Sequence, residues 1–319
     1  MLYKYMAKKN WIYGRNVVIT GCSTGIGREL TVQLVKNFGC NVMGVARNKQ
    51  KLDLLKEELG DKFDYRRFDI SDENAWHDFS EEIQNIGYNV DVLINNAGMI
   101  QEFSQYADMD MQTIRKIVDT NFNSVIFGVA AFLPLIRKSK FGYIVNISSA
   151  SAILPVCGET VYSATKGAVR AFSESLAQDL SGFGIGVSCV MPGPVKTDLY
   201  KQRDAGGSAK KDYELVEKIG ITAETAANRI IKAMRKRKVR VLIDAVAKLM
   251  DFGMRVAPSL TQKITCKAMK AACYYVPAFA PVFKEQIENK EEIKQELKER
   301  KEQMYRSLEE VPEKGAFAK

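Results

Sequence analysis

Tyr162-Ser-Ala-Thr-Lys166 sets a phenol and an ammonium four residues apart, at the head of an apolar segment, Gly167 to Phe172, that reads as helix. On a helix that spacing stacks both side chains on one face. A free tyrosine, with a pKa of about 10, is a poor acid–base catalyst near neutrality. A neighbouring ammonium favours the phenolate and brings the group toward the range where it can exchange a proton with a reacting oxygen. Tyr-x-x-x-Lys also occurs on ordinary solvated helices, so the pair takes its meaning from its neighbours. Ser149 follows the apolar run Gly142–Ile147, and Asn95-Asn96-Ala97-Gly98 ends the run Val90–Ile94. Pro192-Gly193-Pro194-Val195-Lys196-Thr197 closes Ile185–Val190, and Asn121 precedes a long apolar stretch.

The elements that must hold these residues are strands alternating with helices. Buried-strand patterns occur at Asn16–Thr20, Asn41–Ala46, Tyr65–Phe68, Val90–Ile94, Gly142–Ile147 and Ile185–Val190. Helical patterns lie between them, among them Ile26 to Phe38, Lys49 to Leu59 and Glu73 to Gln84. Near-continuous apolar strands separated by helices predict an α/β fold, a doubly wound, Rossmann-like parallel sheet covered on both faces. Such a sheet binds ligands at the carboxyl ends of its strands, where the polar residues above are found.

The first strand runs into Thr20-Gly21-Cys22-Ser23-Thr24-Gly25-Ile26-Gly27. A glycine-rich strand-to-helix turn lets backbone amides approach a pyrophosphate, and the helix N-terminus adds favourable partial charge. The spacing is G-x-x-x-G-x-G rather than G-x-G-x-x-G. The second strand ends at Ala46-Arg47-Asn48, about twenty residues on, where NAD-binding sites of this architecture place an acid for the ribose 2′-hydroxyl. Arg47 would instead pair with a 2′-phosphate, so NADPH is expected over NADH.

Composition limits the other readings. The chain has 319 residues, 46% of them hydrophobic, and a net charge of +9. It holds one histidine, His77, and six cysteines without a CxxC pair, so no metal site and no Ser-His or Cys-His nucleophile pair is expected. No uninterrupted apolar run has the length of a membrane-spanning helix, and a cytoplasmic address is expected. The basic run Arg235-Lys-Arg-Lys-Val-Arg240 is compatible with an anionic surface or a solvated helix end. No nucleic-acid recognition module accompanies it.

Taken together, the loop Thr20–Gly27, Asp69, Asn95–Gly98, Asn121, Ser149, Tyr162-x-x-x-Lys166 and Pro192-Gly193…Thr197 resemble the short-chain dehydrogenase/reductase family over roughly residues 14–200. That resemblance implies an NADP-linked oxidoreductase in which Ser149 polarises a carbonyl, Tyr162 donates the proton and Lys166 holds the nicotinamide ribose. Asn121 would anchor a water leading from Lys166 to solvent. It also implies a cofactor site of Thr20, Gly21, Ser23, Thr24, Gly25, Ile26, Gly27 and Arg47 with Asp69 and Ile70 at the adenine. Asn95, Ala97 and Gly98 would lie near the adenine-side ribose, and Pro192, Gly193, Val195 and Thr197 near the nicotinamide. Ser148 adjoins Ser149, but the family's spacing to the tyrosine selects Ser149. Homo-oligomers are common among such proteins.

The expected division is an N-terminal extension over 1–13 and an NADP-binding catalytic domain over 14–243, with a substrate lid at 198–222 hinged at Gly206-Gly207. Beyond it come an amphipathic basic and apolar segment, 244–283, and a charged helix and tail, 284–319, as a C-terminal helical extension. Residues 244–283 could pack on the core, cover an apolar substrate or lie peripherally on an anionic membrane. The expected substrate is a lipophilic ketone or aldehyde. Oxidation of a lipid-like alcohol, or a non-catalytic cofactor-binding regulator or membrane-surface scaffold, are the alternatives.

Overall fold

A computed structural model describes residues 11–199, 216–272, 282–283 and 288–309. Its main sheet contains β1 (Asn16–Thr20), β2 (Asn41–Val45), β3 (Phe63–Arg66), β4 (Val92–Asn95), β5 (Tyr143–Ile147), β6 (Gly186–Met191) and β9 (Arg240–Leu242). The order is β3-β2-β1-β4-β5-β6-β9, and every pairing is parallel. A separate two-residue pair joins β7 (Val195–Lys196) to β8 (Ile221–Thr222). The strand order reverses between β1 and β4, which opens a crevice at their carboxyl ends.

Helices α1 (Gly25–Phe38), α2 (Lys49–Leu59) and α7 (Ala223–Arg235) cover one face of the sheet, where Leu30, Leu34, Leu52, Leu55, Ile230 and Met234 share one core. Helices α3 (Glu73–Asn85), α5 (Ser124–Ile136) and α6 (Thr160–Asp179) cover the other with Trp76, Phe79, Ile83, Phe132 and Leu176. Helices on both faces are why β5 and β6 are buried at every position, with no alternation of apolar and solvated residues. Side-chain oxygens of Asn48, Asp72 and Thr222 accept amides in the first turns of α2, α3 and α7 and fix where those helices begin.

Helix α4 (Met111–Val118) runs into α5 through a π-helical turn, Asp119–Asn123. The resulting stretch, Met111–Ile136, is long and apolar enough by composition to cross a membrane, which the sequence reading did not pick out. In the fold it is a core element, with Val129, Phe132 and Ile136 packed beside β4 and β5.

Three expectations change. Strand β3 lies two residues earlier than read, because Phe63 pairs with Val42 and is fully buried. Trp11 and Ile12, assigned to an extension, belong to the core. The basic run at 235–240 is partly structural. Arg237 is buried, donates to the carbonyls of Gly184 (2.7 Å) and Gly142 (3.3 Å), and lies over the Tyr143 and Trp11 rings. Arg240 pairs with Asp251.

Beyond β9 lie α8 (Ala245–Val256), α9 (Pro258–Ala272) and α10 (Lys290–Glu309). Most of the expected lid, including Gly206-Gly207, lies outside the described residues. Its two ends are brought side by side by β7 and β8, and Lys196 pairs with Glu217 at 3.3 Å.

Candidate active site

The turn after β1 is shaped by glycines that a side chain could not replace. Gly21 and Gly25 have φ of +67° and +54°, in the left-handed region. A Cβ on Gly27 would stand 2.2 Å from the Gly21 carbonyl oxygen, so this glycine lets α1 close on the turn. Cys22 lies beneath, fully buried, and burial pushes its thiol up to about 12, so it is packing rather than a nucleophile.

Above this turn runs a groove of about 720 Å³ along the carboxyl edge of the sheet. Gly21, Ser23, Thr24, Gly25 and Ile26 form its floor, Arg47, Asp69 and Ile70 one end, and Ser149, Tyr162, Lys166 and Thr197 the other, with Ala97, Gly98, Pro192, Gly193 and Val195 also lining it. Three predicted cofactor residues, Thr20, Gly27 and Asn95, are not among those lining the groove. The Thr20 hydroxyl accepts the amides of Asn96 and Ala97, both at 3.0 Å, and so clamps β1 to β4. Asn95 is buried and donates to Asn146 (2.9 Å), which donates to Ser173 (2.9 Å) on α6. That polar chain ties two strands to the helix that carries Tyr162.

At the adenine-side end, Arg47 is exposed and pairs loosely with Asp69 at 3.6 Å, with Asn48 and Lys51 beside it on the groove. Partial burial pushes the Asp69 carboxyl up, but hydrogen bonds from the amide and hydroxyl of Ser71, with the Arg47 and Lys116 charges, outweigh it and hold the group below its usual range. Among the described residues this end offers three cations, Arg47, Lys51 and Lys116, and the acid beside them, Asp69, is already bonded to Ser71 and paired with Arg47.

At the other end Lys166 is almost fully buried. Its ammonium donates to the Ile147 carbonyl at 3.2 Å and lies 5.7 Å from the Tyr162 ring centre. Burial lowers Lys166 from its ordinary 10.5 to about 8. A Cβ on Gly98 would come within 3.3 Å of that ammonium, so the glycine keeps room around it. The adjacent serines differ. Both line the groove, but Ser148 is buried and spends its hydroxyl on the Lys166 carbonyl (2.7 Å), whereas Ser149 is half-buried and bonds its near neighbour Ser151.

Asn121 is fully buried on the π turn. Its side chain accepts the Met99 amide (2.8 Å) and donates to the Met99 carbonyl (3.0 Å), which pins the loop after β4 under the site. π turns of this kind recur at functional sites.

Two positioning residues escaped the sequence reading. Buried Gln101 bonds both the Tyr162 amide and the Gly158 carbonyl. Asp244 accepts the Gly193 amide at 2.6 Å and the Ala247 amide at 2.8 Å, and a Cβ on Gly193 would collide with it at 2.5 Å. Neither lies in a recognisable spacing with the residue it holds.

The family model for short chain dehydrogenase matches residues 15–207. The chain belongs to the short-chain dehydrogenase family. A serine 3-dehydrogenase of Agrobacterium fabrum is 33% identical to this short-chain dehydrogenase over 214 residues, 67% of this chain and 85% of its own. A dehydrogenase/reductase, SDR family member 7B, of Xenopus laevis is 29% identical over 275 residues, 81% of this chain and 84% of its own. Among solved structures, a closed serine dehydrogenase complexed with NADP+ superposes with a TM-score of 0.67 at 26% identity, over 72% of this chain and 95% of that one. As a member of this family, the chain is an oxidoreductase.

Proposed function

We propose that this short-chain dehydrogenase reduces a lipophilic ketone or aldehyde to the alcohol with NADPH. The observation that carries the reading is Lys166, a cation held away from water beside the Tyr162 phenol at the mouth of the groove. The residues fit a dinucleotide: the Gly21–Gly25 cradle and the first turn of α1 would hold the pyrophosphate, and Arg47 and Lys51 would hold the 2′-phosphate. The relatives include an NADP-dependent 3-hydroxy acid dehydrogenase of Escherichia coli, 28% identical over 215 residues, which supports the same cofactor.

Bound NADPH supplies a hydride to the carbonyl carbon. The Ser149 hydroxyl donates a hydrogen bond to the carbonyl oxygen, and Tyr162 delivers its proton to that oxygen as negative charge gathers there. Lys166 stabilises the phenolate left behind. Met99, Ile147 and Leu199 give this end of the groove an apolar lining, which supports a lipophilic substrate. Buried free thiols at Cys22, Cys40 and Cys189 support a reducing, cytoplasmic setting.

The names of the relatives favour a second reading, oxidation of a 3-hydroxy acid, with Tyr162 accepting the proton. A substrate carboxylate needs a cation, and among the described groove residues Arg47, Lys51 and Lys116 lie toward the adenine-side end. The test is a panel of hydrophobic ketones and 3-oxo acids, followed by loss of NADPH absorbance with wild type and Tyr162→Phe. Ketone turnover that collapses in the variant supports the reading. Turnover of 3-oxo acids alone transfers it to the second, and normal ketone turnover by the variant overturns Tyr162 as donor.

A further inference from the structure

Helices α8 and α9 turn large apolar side chains away from the protein. Leu249, Phe252 and Val256 on α8, with Leu260 and Ile264 on α9, are between 57% and 71% exposed. The spacings i, i+3, i+7 and i, i+4 put each set on one stripe of its helix. These stripes are not the faces that hold the helices in place. On α8, Ala247 is buried and Met254 packs on the cluster of Ile153, Cys189 and Met191. On α9, Met269 is buried in the cluster that includes Phe103 and Cys157, and Thr261 packs against Gly253. Each helix is therefore apolar on two sides, and among the described residues one side packs on the fold while the other is exposed. Apolar surface of this extent on a soluble chain marks a contact with something else.

The charges around the stripes select the contact. Lys248, Arg255, Lys263 and Lys267 are all exposed on the same two helices. The sole acid between residues 245 and 272 is Asp251, which is already bound to Arg240 and Arg255. A second copy of this chain would bring the same cations against themselves, because a two-fold interface pairs each patch with its own image. An anionic lipid surface offers what the face lacks: phosphates for the cations and an acyl boundary for the leucines, phenylalanine and isoleucine.

We infer that the α8–α9 face docks on an anionic phospholipid bilayer, with Phe252 and Ile264 entering the headgroup–acyl boundary and Lys263 and Lys267 resting on lipid phosphates. The inference is independent of the proposed reaction, since docking needs no turnover.

Flotation of the full chain with vesicles tests it, using pure phosphatidylcholine and roughly seven parts phosphatidylcholine to three of phosphatidylglycerol. The anionic vesicles should carry the protein at low salt and release it as salt rises; the neutral ones should not. Lys263→Glu with Lys267→Glu should weaken binding by at least about tenfold, given the attraction each basic residue contributes at such a surface. Phe252→Ser with Ile264→Ser should also weaken it at least about tenfold, because buried apolar area scales the affinity. Unchanged circular dichroism shows that each variant is folded. No flotation with anionic vesicles overturns the inference, as does binding indifferent to the lysine reversals. So does a dimer without lipid that Phe252→Ser dissolves, which would assign the face to a second copy.

Discussion

The Gln101 carboxamide accepts a hydrogen bond of 3.0 Å from the backbone amide of Tyr162 and donates one of 3.0 Å to the carbonyl of Gly158. Tyr162 stands in the first turn of α6, where amides have no partner inside the helix, and Glu159 supplies no side-chain cap. A loop sixty-one residues upstream therefore fixes the helix end that carries the proposed proton donor.

Gln101→Leu removes the side-chain bond to the Tyr162 amide and one of the two that the Gly158 carbonyl accepts, the other coming from the Ser104 amide. Losing one buried partner costs roughly 1–3 kcal/mol, and 1.4 kcal/mol is tenfold in rate. The expected result is a kcat about tenfold lower, while the KM for NADPH moves less than about twofold. Steady-state kinetics on a folded variant read the split; a shift in KM alone would make Gln101 a binding residue.

Ser149→Ala and Ser148→Ala should fail in different ways. The first removes the donor proposed for the reacting carbonyl and is expected to slow turnover by about a hundredfold with little change in Tm. The second removes a buried hydrogen bond to the Lys166 carbonyl and should lower stability by about 1 kcal/mol. Paired kinetics and thermal melts decide, and equal rate losses would contradict the separation.

Arg47→Asp places an acid where the 2′-phosphate is expected. The ratio of kcat/KM for NADPH over NADH should drop at least about tenfold, the scale of one charge-assisted contact. Because the Arg47–Asp69 pair is exposed, urea stability should stay within about 1 kcal/mol. An unchanged cofactor ratio would remove Arg47 from the site.

Lys166 gives the reaction a pH limit. The free enzyme loses this charge as pH rises through about 8, so kcat/KM for NADPH should fall across that range. Stability moves the opposite way. The unfolded chain keeps the lysine proton up to its ordinary 10.5, so between about 8 and 10.5 it binds more protons than the folded chain. The cofactor-free protein therefore gains stability as pH rises through that window, and below it the cost of burying the charge is present in full. Urea melts on either side of pH 8 measure the gain, which should vanish in Lys166→Met.

The alternation of apolar strands with helices, the glycine turn, and the Tyr162, Lys166 and Ser149 spacing are local patterns, and local patterns are what a sequence displays. The helix Lys49–Leu59 lies where it was read, because Asn48 marks its start and Gly60 its end. Thr20 and Asn95 were assigned to the groove because they sit in its motifs, yet position along a strand end does not tell which neighbour a side chain faces. Both turn into the sheet, toward β4 and β5 respectively. Gln101 and Asp244 act across sixty-one and fifty-one residues, and nothing in their own surroundings announces the partner. Residues 244–272 showed apolar and basic positions intermixed, and folding alone decides which apolar stripe turns inward.

Asp244 bonds both the start of α8 and the turn after β6. One oxygen of its carboxylate receives the amide that opens α8, and the other receives the amide of Gly193 in the turn after β6. A tug on the C-terminal helices thus reaches the lining of the groove at Gly193 directly through this side chain, alongside the β6–β9 pairing and the packing of Met254. Docking through α8 and α9, as inferred above, would therefore bear on how the groove holds its dinucleotide.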